Sequence, residues 1–137
     1  MGVPKRRLLV IVTVGLVAAL SPLLVLEGTV AYRSLREYLH RRPFDSAAWR
    51  DLNQVDGSDP VRIRMVDDLV KSHRLDHLSR AEVENLLGHP TKTEYFHDHD
   101  LVYWLGPERG FMGIDSEWLV IDLDERSVVR KYAVVRD

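Results

Sequence analysis

The chain has 137 residues, of which 45% are apolar and 29% charged, with 8 glycines and 6 prolines; this excludes a disordered tail or a low-complexity fibre. It has no cysteine, which excludes a disulfide scaffold, a thiolate zinc site, a cysteine nucleophile and a lipidated N-terminal cysteine. The net charge of -2 argues against a general nucleic-acid binder, yet it hides an asymmetry: residues 1–42 hold seven basic groups against Glu27 and Glu37, whereas residues 43–137 hold 12 basic and 19 acidic groups.

The apolar content is concentrated at the N-terminus. Leu8 to Leu26 is a run of 19 residues without a charge. As a helix it spans about 28 Å, close to the roughly 30 Å hydrocarbon core of a bilayer, and transmembrane helices accommodate a proline such as Pro22. The run is longer than the apolar core of a cleaved signal peptide, although Thr29-Val30-Ala31 offers a poor cleavage site. These features predict a basic flank over 1–7 and a single-pass transmembrane helix over 8–26 that anchors the protein in a lipid bilayer. Lys5, Arg6 and Arg7 before the span compete with Arg33, Arg36, Arg41 and Arg42 after it. The short, tightly basic N-terminus favours the cytoplasm and puts the C-terminal domain outside it. The expected location is therefore the inner (cytoplasmic) membrane of a bacterium.

Residues 27–42 read as a basic juxtamembrane helix or stalk. Tyr32, Leu35 and Leu39 recur at helical spacing with arginines on the other side. Two readings remain open: a surface helix held by anionic lipid at Arg33, Arg36, Arg41 and Arg42, or a solvated stalk.

Residues 43–137 read as one small α+β domain. Pro43 ends the stalk, Asp45 caps a turn carrying Trp49, and Phe44 and Trp49 are expected in the core. Asn53 to Asp59 is a loop by composition. Asp59-Pro60 signals an N-cap and a proline at the first helical position; Ile63, Val66, Leu69, Val70 and His73 then give an amphipathic helix of about 60–73. Ser79-Arg80-Ala81-Glu82 fits a capping box, Leu78 and Val83 a hydrophobic staple, and Gly88 with Pro90 a helix stop.

From Thr91 the apolar period becomes two. Thr93 and Tyr95 suggest a first strand, His97 to Asp100 a hairpin connection, and Leu101, Tyr103 and Leu105 a second strand. Gly106 to Gly110 reads as a loop. Leu119, Ile121 and Leu123 share one face of a further strand, with Trp118 and Val120 opposite. After a turn at Asp124 to Ser127, Val129, Ala133 and Val135 are assigned to one face of the last strand. Short connections imply antiparallel pairing, and helices preceding strands imply helices on one sheet face. The expected domain is two short helices packed on a three- to four-stranded antiparallel sheet.

Candidate chemistry is thin, and no catalytic, cofactor-binding or metal residue is assigned. His97 and His99 would point the same way on a strand and could share a metal if a third ligand joined them; solvated turn histidines are the simpler reading. His73 is expected half-buried, and the Asp67-Asp68 and Asp122-Asp124-Glu125 carboxylates are read as solvated faces. Phe111, Met112 and Ile114 form either an exposed contact patch or a lid on the core.

Leu78-Ser-Arg-Ala-Glu-Val-Glu-Asn-Leu-Leu-Gly-His-Pro90 resembles the capped helix of the BamE (SmpA/OmlA) family, which ends in Leu-Leu-Gly-x-Pro. Val102-Tyr-Trp-Leu-Gly106 and Trp118-Leu-Val-Ile-Asp122 resemble the strands that follow it, so the resemblance covers about residues 60–136. It implies a fold shared with beta-lactamase-inhibitor-like proteins and a role as an envelope protein that binds other proteins without catalysis. The lipidated cysteine of that family's outer-membrane lipoproteins has no counterpart here. The leading expectation is a membrane-tethered, non-catalytic protein-interaction module with an unknown protein partner. The alternatives are an inhibitor or sensor of an extracytoplasmic enzyme, presenting a concave face with Tyr95, Tyr103 and Trp118, or a metal-dependent enzyme using His97 and His99.

Overall fold

The computed structural model describes residues 25–32, 35, 41–51, 60–109 and 114–137. The chain divides into a unit spanning 1–38 and a unit spanning 39–137. In the first, residues 25–32 and 35 are helical and exposed. Most of the expected transmembrane run, with Arg33 and Arg36, lies outside the described residues. Among the described residues no helix is long and apolar enough to cross a membrane.

The second unit is α+β. It contains α1 (Ser46–Arg50), α2 (Val61–Lys71), α3 (Arg80–Leu87), β1 (Leu101–Pro107), β2 (Ser116–Leu123) and β3 (Val129–Arg136). The strands form one antiparallel sheet in the order β1-β2-β3.

Each helix starts where a local signal starts it. The Asp45 carboxylate accepts a hydrogen bond from the Ala48 amide at 2.7 Å and opens α1. Phe44 and Trp49 are buried with ring centroids 5.7 Å apart, as expected. Pro60 itself is the extended residue before α2, one position earlier in role than its sequence suggests. The helix ends at Lys71 because His73 adopts a left-handed φ of 55°, which breaks the ladder. His73 is therefore an exposed turn residue and not part of a half-buried helix face. Helix α3 has the full capping box: the Ser79 side chain accepts from the Glu82 amide, and the Glu82 carboxylate accepts from the Ser79 amide at 2.8 Å. Gly88 ends it at φ 79°.

The helices cover one sheet face. Val66, Leu69, Leu75, Val83 and Leu87 meet Leu101, Tyr103, Leu105, Leu119 and Ile121 in a single core. Burying each such leucine contributes about 1.5–3 kcal/mol. The opposite face carries Val102, Trp118 and Val120, with Phe96, Trp104, Ala133 and Val135 against them.

Two expectations about the sheet are corrected. Residues 91–100 are not a strand: they fold into turns in which Phe96 sits at φ 57°. The turns instead set both Tyr95 and Phe96, which a strand would send to opposite faces, against Trp118, with centroids 5.9 and 6.0 Å away. The sheet thus has three strands, and Gly106 and Pro107 extend β1 where a loop was expected. Second, Val129 shares the helix-facing side with Tyr132 and Val134, not the side of Ala133 and Val135. The register passes from Asp122↔Lys131 to Leu123↔Val129 and skips Arg130. Such a bulge moves every residue beyond it to the other face.

Candidate functional site: a clamped loop base

The segment between β1 and β2 begins at a dense ionic cluster. Glu117 on β2 is only 2% exposed, although it is charged. A buried carboxylate is costly unless several donors meet it, and here they do. Its Oε1 accepts the Arg109 main-chain N–H at 2.9 Å, and its Oε2 accepts Arg109 Nε at 3.0 Å and Nη2 at 2.8 Å. Arg136 Nη2 lies 3.6 Å from Oε1 and its Nη1 pairs with Glu108 at 2.7 Å.

Arg109 also reaches across to α2. Its Nη1 donates to Asp67 Oδ1 at 3.1 Å and to the Ile63 carbonyl at 3.3 Å. Asp67 Oδ2 in turn meets Arg41 Nε at 2.9 Å. Burial alone would lower the Arg109 pKa; the hydrogen bond and charge of Glu117, joined by Asp67, outweigh it and raise the pKa above the ordinary arginine value. The cluster joins α2, β2, β3 and the segment just after β1 at one end of the sheet. Asp67 and Asp68 are thus not a solvated face: Asp67 is in this cluster, and Asp68 accepts the Phe44 amide at 2.8 Å.

The loop that this cluster anchors closes through the Glu108 amide, which donates to the Asp115 carbonyl at 2.8 Å. Ile114 stands 74% exposed beside that closure, so it is not part of a lid on the core. Phe111 and Met112 lie outside the described residues.

His97 and His99 have different surroundings. His97 is exposed, whereas His99 is half-buried and its Nδ1 lies 2.6 Å from Asp122 Oδ1. A carboxylate partner requires the proton on that nitrogen. Asp100 turns to accept the Leu123 amide at 2.7 Å. Among the described residues no group of three or more His, Asp or Glu side chains is placed to hold a metal. Tyr95, Tyr103 and Trp118 also fail to share a face. Tyr103 is fully buried under the helices and donates its hydroxyl to the Gly88 carbonyl at 3.0 Å, while Tyr95 and Trp118 lie on the other side.

A second polar group joins the turn after α2 to β3. The Tyr132 hydroxyl donates to Asp76 Oδ1 at 2.7 Å, and His73 Nδ1 lies 3.1 Å from Asp76 Oδ2. The Tyr132 hydrogen bond holds the Asp76 carboxyl below its ordinary value against some desolvation, with His73 adding to the effect. Burial, followed by the bond to Asp76 and its charge, pushes Tyr132 up to about 12. Asp124 acts as a turn residue, accepting the Arg126 and Val128 amides at 2.9 Å.

None of these clusters was visible as a site in the sequence. Glu117 looks like an ordinary polar position in an alternating strand, and Asp67 lies 42 residues before Arg109. The one local hint was the run Gly106-Pro-Glu-Arg-Gly110, whose charges had no evident partner. No family model, curated protein or solved structure matches the chain.

Proposed function

We infer that the protein is a membrane-tethered, non-catalytic interaction module of the bacterial envelope. Residues 8–26 act as its single-pass anchor in the inner membrane, the basic stretch after them is either a surface helix on anionic lipid or a solvated stalk, with Arg41 paired to Asp67 of the domain, and the acidic α+β domain lies outside the cytoplasm. The uncharged run from Leu8 to Leu26 supports the tether. The resemblance of residues 60–136 to the BamE-like domain supports a protein-binding role.

The observation that carries the interaction reading is the loop after β1. Its base is held by Arg109 and Glu117, and its exit presents Ile114 at 74% exposure. A loop fixed at its base that leaves an apolar side chain exposed at its exit can offer a contact surface. Phe111 and Met112 belong to the same loop in the sequence.

Affinity capture with the full chain in detergent tests this reading. Substituting Phe111, Met112 and Ile114 together by serine should abolish partner recovery, while His97→Ala/His99→Ala should leave it intact. Loss only in the histidine variant would contradict the reading and favour the metal-dependent alternative.

A further inference from the structure

A groove of about 510 Å³ runs between α1, α3 and the turn after α2. Leu78 and Leu86 form apolar wall, Ser46 and Asn85 line it, and Arg50 and Arg74 enter it. Both guanidinium groups are held in place by neutral groups. Arg50 donates from Nε to the Ser46 carbonyl at 3.2 Å and from Nη1 to the Asn85 carbonyl at 3.3 Å. Arg74 donates from Nε to Ser72 Oγ at 3.2 Å and lies 5.6 Å over the Phe44 ring. Among the described residues neither has a carboxylate partner, in contrast to Arg41, Arg80, Arg109 and Arg136, each of which has one.

Glu82 also borders the groove with its negative charge; its Oε2 is turned to the Ser79 amide and hydroxyl at 2.8 and 2.7 Å, which leaves the two arginines in excess. The groove therefore offers two oriented cations, each with N–H groups unused, beside two leucines. An oriented guanidinium recognises carboxylates well because its fork is already set. We propose that this groove binds an acidic, leucine-containing segment of a partner protein, with Arg50 and Arg74 receiving its carboxylates. The inference rests on the interaction-module reading and adds a second contact, remote in sequence from the loop at Ile114.

Fluorescence anisotropy of the full chain in nonionic micelles tests it, using fluorescein-labelled Leu-Glu-Leu-Glu-Leu as the probe. Saturable binding is expected, weakened about tenfold by Arg74→Gln. Arg130→Gln, on exposed β3, should leave it unchanged. Arg50→Lys provides a second variant that keeps the charge but loses the fork, and it too should weaken binding. Absence of saturable binding, equal binding of Leu-Gln-Leu-Gln-Leu, or displacement by inorganic phosphate at the peptide's own concentration would overturn the proposal. If partner capture through Phe111, Met112 and Ile114 persists while the peptide fails to bind, only this inference falls; loss of capture's dependence on that loop would instead remove the reading beneath it.

Discussion

Arg109 grips Glu117 by main chain and side chain at once, its amide on one carboxylate oxygen and its guanidinium on the other. Because Glu117 is 2% exposed, removing the cation leaves a buried charge with too few donors. Arg109→Met is expected to cost about 3–5 kcal/mol and Arg109→Lys less. The double variant Arg109→Met/Glu117→Leu should recover most of the loss, since a well-packed apolar pair often equals a buried ion pair. Urea unfolding of the four proteins measures this; a double variant no more stable than Arg109→Met would show that the pair itself drives folding.

Gly106 is the second constraint at this end of the sheet. Its φ is 143°, and a Cβ there would sit 2.4 Å from Pro60 Cγ. Both atoms belong to stiff parts of the chain, so relief requires backbone movement. Gly106→Ala is expected to destabilise by about 2–4 kcal/mol from strain and overpacking together. A thermal melt unchanged within a degree would refute the close approach of Pro60.

The β2–β3 hairpin turns through Ser127 at φ 60°, after a turn in which the Ser127 amide donates to the Asp124 carbonyl at 2.9 Å. Glycine is the residue that tolerates this position best. Ser127→Gly should raise stability by about 0.5–1 kcal/mol, and Ser127→Val should lower it, as read by chemical denaturation.

Two tyrosines set the alkaline limit. Burial raises Tyr103, with Glu84 adding and Arg62 and Arg80 opposing; Tyr132 is raised to about 12. A raised pKa means that the folded state keeps the proton longer than the unfolded chain. The associated stability is complete below pH 10, the ordinary tyrosine value, and is lost as pH climbs towards and through the folded values. Melting temperatures should fall between pH 10 and 12, less steeply in Tyr132→Phe. Tyr103→Phe should in addition cost about 1 kcal/mol at neutral pH by leaving the Gly88 carbonyl unpaired. A flat alkaline profile in the native protein would contradict the assignment.

What the sequence revealed follows the range of the forces involved. Helix α3 was legible because Ser79, Glu82, Val83 and Gly88 act within one or two turns of one another. The sheet's core face was legible through Leu119 and Ile121, whose alternation is local. Residues 91–100 misled because Thr93 and Tyr95 recur at the spacing of a strand, yet Tyr95 and Phe96 both pack on Trp118, more than twenty residues on. The face of Val129 depended on a bulge at Arg130 that no local pattern announces. The clamp at Glu117 was hidden for the same reason, since Arg109, Arg136 and, through Arg109, Asp67 come from distant parts of the chain.

The proposed function requires a membrane tether with the α+β domain outside the cytoplasm. The most direct measurement is a pair of C-terminal fusions, to alkaline phosphatase and to a fluorescent protein that matures only in the cytoplasm, read in membrane fractions. Phosphatase activity is expected in the membrane fraction without fluorescence, with loss of membrane retention when residues 8–26 are deleted. A fluorescent, phosphatase-inactive fusion, or a fusion recovered from the soluble fraction with residues 8–26 intact, would contradict it.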